Sequence, residues 1–366
     1  MRILFNTMGL GKGGAERVIS LLANSLVKEN EVAIIMNINS EIEYDFDNRI
    51  QIIPLVKNDS PFLRKLRRIS IFIIEKMKKI ICEFEPDIII SFLPEPSFRV
   101  LFLKKYSKKI KNIPIIVSVR NDPVIEYKNP LFYHLMKLLY PSSDELVLQT
   151  NDSKDYFIKN INKIGFVIPN PVSDMFLTNR YTGKRKKEIV AVGRLETQKN
   201  YKNMIKAFKI VNTKHPDYVL KIYGDGILKD EIQNYINSLN LNKKVLLMGK
   251  TDDVKNAIYC ATAFVMSSDF EGMPNSLLEA ACLGVPCIST NCPCGGPKEI
   301  LKDGKNGVLV PVNDCNSLAD GICKIIEDKE FADRISKNSN ASSFNYKKEK
   351  ILKMWIKTIT KTINNK

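Results

Sequence analysis

The segment Glu271-Gly272-Met273-Pro274-Asn275-Ser276-Leu277-Leu278-Glu279 carries two carboxylates separated by seven residues, one before a helical stretch and one inside it. A glycine at 272 lets backbone come close to a ligand. Asn275 or Ser276 is placed to cap the helix. The first amides of that helix point outward, and its dipole favours an anion. Each carboxylate accepts two or more hydrogen bonds, which suits hydroxyl-bearing rings. One short segment thus offers amides to a diphosphate and carboxylates to a hexose and a ribose.

Other chemistry-bearing residues stand just after apolar runs. Gly13-Gly14-Ala15-Glu16 follows the first run, Arg194 follows Ile189-Val190-Ala191-Val192-Gly193, and Gly224-Asp225-Gly226 follows Leu220-Lys221-Ile222-Tyr223. The runs read as strands at 2–6, 32–38, 50–54, 87–92, 113–119, 145–149 and 164–168, then at 188–193, 218–223, 244–248, 262–266, 285–289 and 307–310. Helical periodicity lies between them at 14–29, 61–83, 96–108, 130–139 and 151–160, then at 200–213, 227–238, 252–260, 275–283 and 315–327. Strict alternation of this kind predicts parallel sheets covered by helices. The two prolines of Ile168-Pro169-Asn170-Pro171-Val172 continue neither element and divide the chain. The expected fold is α/β, with two Rossmann-like domains facing a central cleft. Ligands of such sheets bind beyond the carboxyl ends of the strands.

A chain of 366 residues suits two domains, and 44% hydrophobic with 26% charged residues is an ordinary globular composition. The net charge of +16 calls for anionic partners: phosphates, a lipid surface or nucleic acid. No helix-turn-helix, zinc finger or aromatic RNA-binding motif is visible, so nucleic acid is not expected. His134 and His215 lie far apart and the eight cysteines are scattered, which argues against a catalytic metal site. Cys292-Pro293-Cys294 reads as small residues in a loop, and the thiols fit a reducing compartment. Neither a secretory leader nor an apolar run of about 18 residues is read.

Residues 188–300 resemble the nucleotide-binding half of the family 4 glycosyltransferases, which have the GT-B fold. Glu271 and Glu279, with the seven residues between them, match that family's signature, and Val192-Gly193-Arg194-Leu195 with Gln198-Lys199-Asn200 resembles its phosphate-binding loop, whose last position is more often Gly. The loop Gly13-Gly14-Ala15-Glu16-Arg17 resembles the one after the first strand of the acceptor domain. The resemblance implies that Arg194 and Lys199 bind the donor diphosphate and stabilise the leaving nucleotide without a metal or cofactor. Glu271 then contacts the sugar hydroxyls and Glu279 the ribose. Gly272, Met273, Pro274, Asn275 and Ser276 line the sugar and phosphate site, and Gly13 and Gly14 bring backbone to the phosphates. Many relatives carry a His where this chain has Arg120-Asn121-Asp122-Pro123. Arg120 or Asn121 takes that place near the donor sugar. Asp122 is a conceivable base, though Asp before Pro is also a common turn former. The segment Thr290–Glu299, with Gly295 and Gly296 opening a short helix, is similar to bacterial polysaccharide enzymes of this family.

Residues 62–81 wind at about 100° per residue. Leu63, Leu66, Ile69, Ile73, Met77, Ile80 and Ile81 fall on one arc; Arg64, Lys65, Arg67, Arg68, Lys76, Lys78 and Lys79 fall on the other. A solvated face explains this pattern; a face for an anionic membrane or an acceptor diphosphate, with Arg64, Lys65, Arg67 and Arg68 at its centre, also does. Taken together, the expectation is a retaining hexose or N-acetylhexosamine transferase. Its donor is a nucleotide diphosphate sugar, UDP foremost, and its acceptor a lipid-linked saccharide of bacterial surface polysaccharide. It acts in the cytoplasm, peripherally on the inner face of the membrane. Residues 1–170 form the acceptor domain, with the helix 345–366 packing back on it, and 171–344 form the donor domain. A nucleotide-sugar epimerase of similar fold, or a nucleic-acid-binding protein, is the alternative.

Overall fold

Each central strand is apolar on both faces, and that pattern builds two parallel sheets. The computed structural model describes residues 1–11, 13–38, 40–56 and 71–365. They form two units, Met1–Asn170 with Glu349–Lys366, and Pro171–Lys348. In the first unit the strands are β1 (Arg2–Thr7), β2 (Glu31–Met36), β3 (Gln51–Pro54), β4 (Ile88–Phe92), β5 (Ile115–Ser118), β6 (Glu145–Leu148) and β7 (Phe166–Val167). Their order is β3-β2-β1-β4-β5-β6-β7, and every pair is parallel. In the second unit β8 (Lys186–Val192), β9 (Val219–Tyr223), β10 (Val245–Gly249), β11 (Ala261–Met266), β12 (Cys287–Thr290) and β13 (Val308–Val310) run β10-β9-β8-β11-β12-β13, again all parallel. Both orders are the doubly wound 3-2-1-4-5-6 arrangement. Its switch point falls between β1 and β4 in one sheet and between β8 and β11 in the other.

Alternation along the strands sends side chains to opposite faces. Leu4, Ala33, Ile35 and Ile89 pack on one side of the first sheet, while Ile3, Phe5, Ile34, Ile88 and Ile90 pack on the other. The helix Lys348–Asn364 covers this second face with Ile351, Trp355 and Ile359, and the Trp355 ring lies 6.0 Å from that of Phe92.

Two sequence expectations change, and a third lies largely outside the described residues. The helix Lys329–Ser342 was not foreseen. Its buried stripe is Phe331, Ile335, Ser336 and Ser339, so half of its core face is polar and the apolar periodicity is faint. The Asp328 carboxylate, which accepts from the Phe331 amide at 2.9 Å, is the signal that marks its start. The helix Asn275–Cys282 is capped neither by Asn275 nor by Ser276. Pro274 is its N-cap, extended at φ −74° and ψ 112°, so Asn275 is already helical and its first amides meet no side-chain cap. The stretch 62–81 is described only from Ile71, as the helix Ile71–Phe84. Arg64, Lys65, Arg67 and Arg68 lie outside the described residues. Ile73, Met77 and Ile81 are buried as the wheel requires. The lower part of the basic arc is occupied: Lys76 donates to the Leu55 carbonyl at 2.8 Å, Lys78 pairs with Glu75 and Lys79 with Glu83.

Candidate active site

Beyond β8 and β11 two loops are sewn together. After β8 the chain passes through Gly193 and Arg194 to a single turn, Thr197–Lys199, and then to Asn200, which sits in the left-handed region at φ 46° and caps the helix Tyr201–Lys214. Asn tolerates this conformation better than any residue except Gly. The β11 loop grips this turn. Ser267 Oγ donates to the carbonyls of Lys199 and Asn200 at 2.8 and 3.0 Å, and the Asp269 amide donates to the Gln198 carbonyl at 2.9 Å. Gln198 Nε2 reaches the Phe270 carbonyl and Asn200 Nδ2 reaches Asp269 Oδ1.

This lacing brings Lys199 and Glu271, 72 residues apart, into contact. Lys199 Nζ lies 2.5 Å from Glu271 Oε1, and Ser268 Oγ donates to the same oxygen at 2.8 Å. The two charged side chains are 16% and 9% exposed, so the pair is largely desolvated and its geometry is fixed. Burial raises the pKa of the Tyr201 hydroxyl, whose OH donates to the Gly193 carbonyl at 2.9 Å, and the neighbouring Glu271 raises it further. The Cys292 thiol is raised in the same way, first by burial and then by Glu271.

Two glycines are required by close backbone passage. A Cβ on Gly224 would stand 1.9 Å from the Gly193 carbonyl oxygen, and its φ of +141° is itself glycine's. A Cβ on Gly296 would stand 1.5 Å from the Gly272 oxygen. Gly296 opens the short helix Gly296–Ile300 and packs directly on the loop bearing Glu271. Gly272, Met273 and Pro274 are buried, Asn275 and Ser276 half-buried, and Glu279 is 7% exposed on the fifth position of its helix. Arg194 behaves differently. Its side chain is 66% exposed and pairs with Glu196 at 2.9 Å, not with the Glu271 cluster.

The first-unit residues are arranged by other needs. Gly13 caps the helix Gly14–Leu26, and its carbonyl accepts from the Tyr44 hydroxyl at 2.9 Å. Arg120 is 9% exposed, its guanidinium 5.3 Å from the Phe92 ring and 5.4 Å from that of Trp355. Nη1 donates to Asn170 at 3.2 Å, while Nε and Nη2 have no hydrogen-bond partner. Burial pulls its pKa down to about 9. Asn121 beside it is half-buried. Asp122 Oδ1 accepts from the Val124 amide at 2.9 Å, the cap of the short helix Pro123–Glu126. Glu126, which sequence reasoning passed over, is pushed up to about 8 by burial and by Asp122.

Comparison with known proteins matches residues 179–342 to the family described as glycosyl transferases group 1 and residues 12–175 to the one described as glycosyltransferase family 4. An uncharacterized glycosyltransferase of Methanocaldococcus jannaschii is 32% identical over 337 residues, covering 79% of this chain and 82% of the relative. A Campylobacter jejuni alpha-1,4-N-acetyl-D-galactosaminyltransferase, whose acceptor is a diphosphoundecaprenol-linked saccharide, is 27% identical over 100% of this chain and 99% of its own. Among solved structures, Anabaena HepE in complex with UDP superposes with a TM-score of 0.79 at 17% identity, covering 99% of this chain and 100% of that one.

Proposed function

The chain belongs to the family 4 glycosyltransferases, and from that premise we propose that it is a retaining enzyme moving a hexose or N-acetylhexosamine from UDP to a lipid-linked saccharide of bacterial surface polysaccharide. The observation that carries this reading is the Lys199–Glu271–Ser268 cluster at the β8/β11 switch point, the place where doubly wound sheets bind nucleotides. Lys199 and the exposed Arg194 take the diphosphate, together with the first amides of the helix Asn275–Cys282. They offset the negative charge growing on the leaving nucleotide, the task a metal ion performs elsewhere. Glu271, held by Lys199 and Ser268, accepts from sugar hydroxyls, with Gly272, Met273, Pro274, Asn275 and Ser276 around it, and Glu279 accepts from the ribose. The C. jejuni relative makes an alpha linkage by its name; an alpha product from an alpha-linked nucleotide sugar is retention. Attack then comes from the face the nucleotide leaves, and the departing phosphate accepts the acceptor's proton.

Incubation with a panel of nucleotide sugars, followed by nucleotide release in the presence and absence of EDTA, tests the reading. Release from UDP-sugars that survives the chelator is expected. Activity lost with EDTA and restored only by Mg or Mn would overturn the metal-independent mechanism.

Among the described residues no helix is long and apolar enough to cross a membrane. Peripheral attachment at the inner face is assigned to the stretch 62–81, where Phe72 stands 72% exposed. Changing Arg64, Lys65, Arg67 and Arg68 together to Ser releases the protein from anionic vesicles if these residues dock it, since each is worth about 1 kcal/mol near such a surface. Unchanged vesicle binding and unchanged transfer would leave the stretch a solvated face.

A further inference from the structure

Far from the nucleotide loops, three side chains of different chemistry converge. His215, Cys323 and Glu327 offer a nitrogen, a sulfur and an oxygen that all lie within 4.8 Å of one another, the one such group among the described residues. His215 is the C-cap of the helix Tyr201–Lys214. Cys323 and Glu327 are four residues apart on the helix Cys315–Glu327, hence on one face. We propose that these three residues form a zinc(II) site that staples the two helices together, with water as the fourth ligand.

The ligand set selects the metal class. Imidazole and thiolate suit a borderline-soft cation, whereas magnesium and calcium demand oxygen ligands. Bond lengths of about 2.3 Å to sulfur and about 2.0 Å to nitrogen and oxygen imply ligand separations of about 3.3–3.6 Å in a tetrahedron. His215 Nε2 and Glu327 Oε1 stand 2.8 Å apart, at hydrogen-bond distance. The carboxylate, 56% exposed, opens that gap by a small side-chain rotation. Cys323, 4% exposed, supplies the fixed inner ligand. Its thiol is held protonated by burial, with Lys214 opposing and Glu327 and Asp320 reinforcing; zinc displaces that proton to solvent. Asp217, the other carboxylate facing His215, is already paired with Lys187.

The location makes the role structural. His215 lies at the far end of a 14-residue helix from Asn200, about 21 Å along its axis. The site therefore strengthens the donor-binding unit without entering its chemistry.

The test is metal uptake by the full chain. After incubation with zinc and desalting, the wild-type protein retains about one equivalent, and its cobalt(II) form shows a thiolate-to-cobalt charge-transfer band. Cys323→Ser, His215→Gln and Glu327→Gln each lower the retained zinc, and Cys323→Ser abolishes the band while leaving the other seven cysteines in place. Zinc at about 100 times its dissociation constant raises the Tm of the wild type by about 5 °C and that of the variants by less. Should Cys323→Ser fail to fold, the exposed Glu327→Gln decides. No uptake by the wild type, or equal uptake and an unchanged band in the variants, overturns the site.

Discussion

The two sheets share a strand order, yet the ends of their central strands are finished with different side chains. Between β8 and β11 the sequence places a buried ion pair, Lys199 with Glu271, in loops laced by backbone and side-chain hydrogen bonds. Between β1 and β4 it places amides and hydroxyls around a buried guanidinium, Arg99, which pairs with Glu95 and donates to Asn37 Oδ1 at 2.5 Å. Asn6 Nδ2 donates to Ser91 Oγ at 3.0 Å and to the Pro96 carbonyl at 2.9 Å, Asn37 Nδ2 donates to Asn6 Oδ1 at 2.9 Å, and Ser97 donates to Ser91 at 3.1 Å. Arg120, two residues after β5, is turned into aromatic rings. Both ends thus hold a charge pair: in the first sheet it is enclosed by amides and hydroxyls, with two nitrogens of Arg120 left without a hydrogen-bond partner, and in the second it stands in laced loops. The same fold supplies two such places, and the side chains make them differ.

The largest expected effect tests how far the first unit depends on its C-terminal helix. Trp355, fully buried against Phe92 and the Arg120 guanidinium, leaves a large cavity when truncated. Trp355→Ala is expected to destabilise the first unit by about 3–5 kcal/mol, lowering one calorimetric transition while the transition of the second unit stays in place. A single transition shifted as a whole would make the two units one cooperative body.

Next comes the charge cluster. Arg194→Ala and Glu271→Gln are each expected to lower turnover about 100-fold, or about 2.7 kcal/mol of transition-state stabilisation. Stability separates them. Arg194 is exposed, so its removal leaves Tm unchanged. Glu271→Ala strands the Lys199 ammonium in a site 16% exposed, and removing one partner of such a pair costs up to about 3 kcal/mol. Normal turnover in Arg194→Ala would take that residue out of the site.

A smaller effect should follow pH and fall on the first unit alone. Glu126 is held protonated up to about 8 by burial and by Asp122. An acid whose folded pKa is raised contributes stability that is complete below its ordinary range and is lost as pH rises through the folded value. The first unit should therefore weaken between about pH 5 and pH 8, and Glu126→Gln should flatten that fall. The chain's single tryptophan lies in this unit, so its fluorescence during denaturation reads the effect directly. An unchanged slope in the variant would show that Glu126 titrates as an exposed acid.

Legibility in the sequence followed how local each cause is. Strands such as β4 and β11, apolar at nearly every position, announce themselves, and glycines 224 and 296 stand where backbones must touch. The helix Lys329–Ser342 hid because serines fill half of its core stripe. The motif around 271 pointed to the carboxylates, but nothing local reveals that Lys199 would reach Glu271 across 72 residues or that Ser268 would share the same oxygen. Pro274 took the cap expected of Asn275 because its extended backbone already turns the chain into the helix. His215 and Cys323 likewise meet only when two helices pack.

Asn200 provides the smallest test and bears on the lacing itself. Its left-handed backbone costs an L-residue about 1–2 kcal/mol. Its side chain repays part of that: it accepts from the Asn203 amide at 3.3 Å and donates to Asp269 and Asn313 at 2.7 and 2.6 Å. Asn200→Gly removes strain and cap together, so the two changes should nearly cancel, leaving stability within a few tenths of a kcal/mol. Asn200→Ala keeps the strain and loses the cap, and should cost about 1–2 kcal/mol. The backbone bonds from Ser267 and Asp269 survive both changes, so Lys199 should keep its place against Glu271 and turnover in the Gly variant should stay within about twofold. A tenfold loss in Asn200→Gly, with stability intact, would mean that the Asn200–Asp269 contact positions the charge pair and that the backbone lacing alone is insufficient.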